Sequence, residues 1–193
     1  MNSLFLDTSH NITYGLMDQN YEWISLNSFE NLKTSKEIHS KIEKDLQEND
    51  IDISDIKKVF SISGPGSYTG LRVAEGIRDI FNWQGFETYS FNHFQILKIL
   101  DLKNSTWVCD AYKGEVFIYH NETYKTVSIN EYDLTKFDNI YSYKVNESLG
   151  ATQGTDNLIK LRSKEIFLQV VEQQVSSEVF YFRSINEEYK KSK

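Results

Sequence analysis

The sequence predicts an α/β protein of two related lobes, each running three strands, helix, strand, helix, with the second lobe shortened. Three observations carry this reading. Ser3–Asp7 and Thr106–Asp110 are short apolar strands that both end on an aspartate and both open a run of strands. A glycine-rich turn, Gly64–Gly70, joins a β-branched strand to a helix. No composition shift or Pro/Gly/Ser linker divides the two rounds, so lobes 1–104 and 105–193 are expected to touch.

In order, Ser3–Asp7, Ile12–Asp18 and Tyr21–Leu26 form a β-meander, with Asp18-Gln19-Asn20 as a tight turn. Thr34 or Ser35 caps a helix that carries Ile38, Ile42 and Leu46 at i, i+4, i+8 and stops at Asn49-Asp50. Lys57–Ser63 is a buried strand, Leu71–Trp83 a helix, Phe86–Phe91 a strand and Phe94–Leu102 a short apolar helix. The second round has strands at Thr106–Asp110, Glu115–His120, Tyr124–Ile129 and Asn139–Tyr143. Two helical pieces follow within Asn157–Val175, then a short terminal strand or extended segment at Val179–Arg183 and a polar tail.

Composition narrows the function. The 193 residues hold 21 Lys+Arg against 28 Asp+Glu, a net charge of −7, and neither half is basic. Phosphate affinity comes from clustered cations, which speaks against an autonomous nucleic-acid binder and leaves room for a helper whose partner holds the nucleic acid. One cysteine, Cys109, excludes an intramolecular disulfide and a cysteine zinc cage, and fits a reducing cytoplasm. The start MNSLFLDTSHN lacks the basic region of a signal peptide. No stretch approaches the ~20 apolar residues that span a bilayer, so no membrane association is expected.

The sharpest motif is Ser63-Gly64-Pro65-Gly66-Ser67-Tyr68-Thr69-Gly70-Leu71-Arg72. At a strand-to-helix turn backbone N–H groups converge on a positive dipole end, where an anion can sit. Gly64, Gly66, Ser67, Thr69 and Arg72 are therefore candidate anion- or nucleotide-binding residues, with Ser67 and Thr69 also candidate N-caps. The plainer reading is a connector. It is not a P-loop, because no lysine lies between Lys58 and Lys98. It is not a dinucleotide fingerprint either, because Thr69 stands where the third glycine belongs.

Asp7 and Asp110 each end the first strand of a lobe, so a duplicated fold would set them across one cleft, where paired carboxylates bind Mg²⁺ or act as acid and base. The alternative is that they cap turns. His10, His39, His93 and His120 include no pair at i, i+4, so no metal site forms on one helix, and each reads as a surface or half-buried side chain. Helix Leu71–Trp83 is apolar almost all round: Leu71, Val73, Ala74, Ile77, Ile80, Phe81 and Trp83. A helix facing only its own core needs one stripe. Gly70 and Gly76 permit close helix approach, and Arg72 is a cation at a dipole end that disfavours it, which suits an anionic partner. Ile38, Ile42, Leu46, Gly70, Arg72, Val73, Gly76, Ile77 and Ile80 are the candidate partner interface. Full burial of both helices would leave the same composition, and Ile38, Ile42 and Leu46 could face the sheet instead.

Gly64–Arg72 (GPGSYTGLR) closely resembles the GPGSFTGLR signature of the bacterial TsaB (YeaZ) family, with Tyr68 for phenylalanine. Leu4-Phe5-Leu6-Asp7-Thr8-Ser9 is similar to the family's apolar-apolar-Asp-Thr-Ser start. Asp110-Ala111-Tyr112-Lys113-Gly114-Glu115-Val116-Phe117 is similar to its Asp-Ala-Arg-x-x-Glu-Val-Tyr, and Val179–Arg183 to its Pro-x-Tyr-Leu-Arg end. The departures are Thr34-Ser35 for a His-Ser pair, Tyr112 for arginine, and Glu178 or Val179 for proline. The resemblance implies the actin-like ATPase (ASKHA) fold. It implies a noncatalytic scaffold for tRNA N6-threonylcarbamoyladenosine modification that pairs with the catalytic subunit TsaD, joined by TsaE. It also implies helix-to-helix packing against TsaD, a homodimer through the same surface when TsaD is absent, and tRNA met only through the complex. No tightly bound cofactor is expected, with ADP or ATP at the partner interface as the candidate nucleotide. The competing reading is an enzyme in its own right, an actin-like kinase or ATPase or a metallopeptidase relic. The absence of glycine after Asp7 speaks against it, since a nucleotide phosphate would meet side chains there.

Overall fold

The computed structural model of the chain describes residues 1–30, 34–111 and 113–182. In chain order the elements are β1 (Asn2–Asp7), β2 (Ile12–Met17), β3 (Trp23–Phe29), α1 (Thr34–Glu48), β4 (Ile56–Ile62), α2 (Tyr68–Trp83), β5 (Glu87–Phe91) and α3 (Gln95–Ile99). They continue as β6 (Thr106–Asp110), β7 (Glu115–His120), β8 (Thr123–Ser128), β9 (Ile140–Ser142), β10 (Gln153–Gly154), α4 (Thr155–Leu161) and α5 (Ser163–Glu172). Among the described residues two compact units result: Met1–His93 with Lys160–Phe180, and Phe94–Ile159 with Tyr181 and Phe182. The chain thus passes from one unit to the other at His93/Phe94, ahead of the 104/105 division read from the sequence, and α5 returns to the first unit.

Both sheets are mixed and have the same order, β3-β2-β1-β4-β5 and, read from the other edge, β8-β7-β6-β9-β10. In each, the first three strands are an antiparallel meander and the last two join parallel to the first. The duplication read from the sequence is therefore present in the topology, and the two-lobe α/β fold class is the one observed.

In the first unit the period of two along a strand sends alternate side chains to opposite faces. Leu4, Leu6 and Val59 join Ile38, Ile42 and Leu46 of α1 and Ile77 of α2 in one core. Phe5 and Phe60 point the other way, where Phe167 of α5 lies 5.5 and 4.7 Å from their ring centroids, with Trp23 and Phe91 also against it. Of the two readings open for Ile38, Ile42 and Leu46, the inward one is observed. Ile77 is buried with them, so it belongs to the core and a charge there would damage the fold before any surface.

The second unit departs from the expected βββαβα order. Where α1 stands in the first unit it has two 3-10 turns, Ile129–Glu131 and Leu134–Lys136, and where α2 stands it has one, Glu147–Leu149. Leu149, Ala151, Tyr132 and Phe137 cover Val108, Val116, Ile118 and Ile140 in place of helices. The reason is length: only 11 residues (129–139) separate β8 from β9, too few for a capped helix and two connections. Residues 179–182 form no strand, and β10 was not expected. The side chains of Thr34 and Ser35, and all of Tyr112, Arg183 and the tail, lie outside the described residues. Among the described residues no helix is long and apolar enough to cross a membrane.

Phe167 joins five aromatic side chains of the first unit. Phe167→Ala is expected to cost about 3–5 kcal/mol, read as a lower denaturant midpoint at unchanged slope.

Candidate functional site

The site is built where β1 ends. Asp7 closes the strand, and its Oδ1 accepts from the Ser9 backbone N–H at 2.9 Å and from Ser9 Oγ at 2.6 Å, an Asx-type turn. His93, two residues past β5, brings Nε2 to 3.2 Å from Asp7 Oδ2 and 3.1 Å from Ser9 Oγ. Exposed His10 places Nδ1 3.0 Å from the same hydroxyl. Asp7, Ser9 and His93 are all essentially sealed from solvent, at 2%, 1% and 0% exposure. Burial alone would push the Asp7 carboxyl up. The attraction of His93 and hydrogen bonds from His93 and Ser9 outweigh it and hold the group below its ordinary value.

The glycine motif wraps this knot. The Ser67 N–H donates to the Ser9 carbonyl at 2.6 Å, Thr8 Oγ1 donates to the Gly70 carbonyl at 2.6 Å, and the His93 N–H donates to the Gly64 carbonyl at 2.9 Å. A Cβ on Gly66 would overlap the Ser9 carbonyl and one on Gly70 the Thr8 carbonyl, so both glycines exist for close approach. Gly64, at φ +119°, sits against the Phe180 carbonyl. Ser67 caps α2 by accepting from the Gly70 N–H at 3.4 Å, which starts the helix three residues earlier than its apolar stripe suggested.

This geometry does not fit a phosphate loop. The concave side that a phosphate would need is filled by Thr8 and Ser9 of the same chain, and the Ser67 N–H is already spent on Ser9. The Ser9, His93 and Asp7 set is not an acyl-transfer triad either. A general base bridges serine and carboxylate through its two opposite nitrogens. Here Nε2 faces both, and Ser9 bonds Asp7 directly out of reach of substrate. Among the described residues no group of three or more His, Cys, Asp or Glu side chains is arranged to hold a metal ion.

The other sequence candidates separate by exposure. Asp7 faces inward, as a turn cap does. Asp110, at the end of β6, is exposed and its Oδ2 accepts from Asn146 Nδ2 at 3.4 Å. Thr69, Arg72, Gly76, Ile80 and Trp83 lie on the outer face of α2, at the 3- and 4-residue spacings of one stripe. Ile80 is 48% and Trp83 85% exposed, Gly76 has open space around it, and Arg72 pairs with Glu75 at 2.7 Å. Val73 is half-buried against the core. His93, expected from the sequence to be a surface or half-buried side chain, is instead fully buried; its partners Ser9 and Asp7 lie 84 and 86 residues away and no spacing links them. The only local signal was its position just past an apolar strand.

Gly70→Ala is expected to destabilise the first unit, whereas Gly76→Ala should stabilise it by about 0.5–1 kcal/mol, both read by thermal or urea unfolding. The depressed Asp7 value fixes a sign. Its stabilisation is fully present above the unfolded value of 3.8 and is lost as pH falls through the lower folded one. Stability measured against pH should therefore drop below about pH 4, and Asp7→Asn, less stable at neutrality, should show a shallower drop.

No family model matches the chain, and no curated protein matches it. Solved structures do. A Pseudomonas aeruginosa protein described as uncharacterized, with similarity to peptidase YeaZ, matches with TM-score 0.60 at 15% identity, over 93% of this chain and 99% of that one. YeaZ from Pseudomonas aeruginosa matches with TM-score 0.60 at 15% identity, over 91% and 98%. The chain has the fold of YeaZ, along nearly the whole length of both proteins.

Proposed function

We propose that this protein is a noncatalytic scaffold of the TsaB type, which binds and supports the catalytic subunit TsaD, with TsaE, in making N6-threonylcarbamoyladenosine in cytoplasmic tRNA. The observation that carries this is the use made of Gly64–Arg72. The motif welds α2 to the end of β1 and leaves Thr69, Arg72, Gly76, Ile80 and Trp83 outward. A small residue between Arg72 and Ile80, with a largely exposed tryptophan beyond, is the composition of a helix that another helix covers. The YeaZ-like fold supports the same reading, and the sealed Ser9 and filled glycine loop speak for binding over chemistry.

The interface accordingly drops the buried sequence candidates and adds Trp83. Gly76, Ile80 and Arg72 contact TsaD, while Ile38, Ile42, Leu46 and Ile77 support them from the core. Without TsaD the same face pairs two copies of this chain. Any ADP or ATP at the joint meets Arg72, Ser67 and Thr69 side chains and not a glycine cradle. The acidic chain reaches tRNA only through the complex.

Affinity capture of the full chain from its own cells should bring down TsaD. Trp83→Ala and Ile80→Glu should each weaken that pairing at least about tenfold at unchanged fold stability. Depleting the protein should lower threonylcarbamoyladenosine in digested tRNA. Fully modified tRNA after depletion, or ATP or peptide hydrolysis by the purified chain that Asp7→Ala abolishes, would sink the reading.

A further inference from the structure

We propose that His93 is the positioning residue of the α2 face, the donor that holds Asp7 and Ser9 in the arrangement to which the first turn of that helix is bonded. Its meaning for docking rests on the scaffold reading; its place in the structure does not.

The proton count at Ser9 assigns the roles. A serine hydroxyl has one proton and two lone pairs. Ser9 Oγ has three polar neighbours: Asp7 Oδ1 at 2.6 Å, His10 Nδ1 at 3.0 Å and His93 Nε2 at 3.1 Å. An ionised carboxylate only accepts, so the single proton goes to Asp7, at the short distance of an O–H···O⁻ bond. Both imidazole nitrogens must then be donors. His93 carries its proton on Nε2 and His10 on Nδ1, whatever the charge of either ring.

His93 Nε2–H is also the contact made by the second carboxylate oxygen, Asp7 Oδ2, at 3.2 Å. Asp7 is thus held through Oδ1 by Ser9 and through Oδ2 by His93, in a place with no solvent to replace either. Removing one partner of a buried charge leaves the other uncompensated.

The consequence reaches α2 by short steps. The carbonyl of Ser9 takes the Ser67 N–H and Thr8 Oγ1 donates to the Gly70 carbonyl, so the turn that Asp7 shapes grips both ends of the helix cap. The backbone N–H of His93 takes the carbonyl of Gly64 at the other end of the same loop. One residue therefore fixes the loop directly through its main chain and indirectly through its ring. Glutamine keeps a donor near the Nε2 position; phenylalanine keeps the ring size and loses the donor.

The test uses the full chain. Nitrogen-15 NMR of the wild type should show His93 protonated at Nε2 and His10 at Nδ1; a neutral His93 protonated only at Nδ1 overturns the assignment. In His93→Phe, amide exchange at Ser67, Gly70 and Leu71 should accelerate at least about tenfold more than at the β4 core, and His93→Gln should return it to within about twofold of wild type. Uniform acceleration across the first unit, or no rescue by glutamine, would make His93 an ordinary core residue and overturn the proposal. If His93→Phe does not fold, His93→Gln against His93→Leu at low temperature gives the same comparison. Affinity for TsaD should track the exchange of Ser67–Leu71. A wild type that binds no TsaD defeats the scaffold reading alone, since tautomers and exchange still judge His93.

Discussion

Everything in the first unit turns on how closely two stretches of backbone can approach. The turn after β1 and the loop before α2 touch main chain to main chain, and that is possible only because Gly66 and Gly70 have no Cβ. The contact would be costly if its polar groups were left unmet. Asp7 prevents this by gathering the Ser9 N–H, the Ser9 hydroxyl and His93 around one buried charge, while Ser67 and Thr8 bridge the two segments.

Much of the fold was legible because its signals are local. Period-two and period-3.6 patterns mark β1, β2, β4, α1, α2 and β5 within a few residues, and the repeated apolar strand ending on aspartate exposed the duplication. The site was only half legible. Gly64–Gly70 stood out, yet its glycines suggested an anion, because sequence cannot say what fills a concavity. Here it is Thr8 and Ser9. Burial sides were equally hidden. Ile77 and Ile80 are both apolar and three residues apart on one helix, but one is core and the other surface. His93 was illegible for a different reason: its contact with Asp7 is made across three strands and depends on register.

A serine, a histidine and an aspartate in contact are easily taken for machinery. The difference lies in which nitrogen points where and in whether water or substrate can arrive. The same residue types, sealed from solvent and with one imidazole nitrogen facing both the serine and the carboxylate, make a buried hydrogen-bonded junction. Function belongs to sites and not to folds, and in this unit the exposed stripe of α2 lies apart from that buried cluster.

The exchange of helices for 3-10 turns in the second unit has its own consequence. A faithfully duplicated protein would carry two equivalent sticky cylinders and could string molecules into open chains, since each unit would recruit the next. With 3-10 turns in place of helices in one copy, only the first unit keeps such a cylinder among the described residues. On the scaffold reading proposed above, such a molecule would be univalent: it would complete a pair and then stop, with neither growth in length nor crowding on the other half.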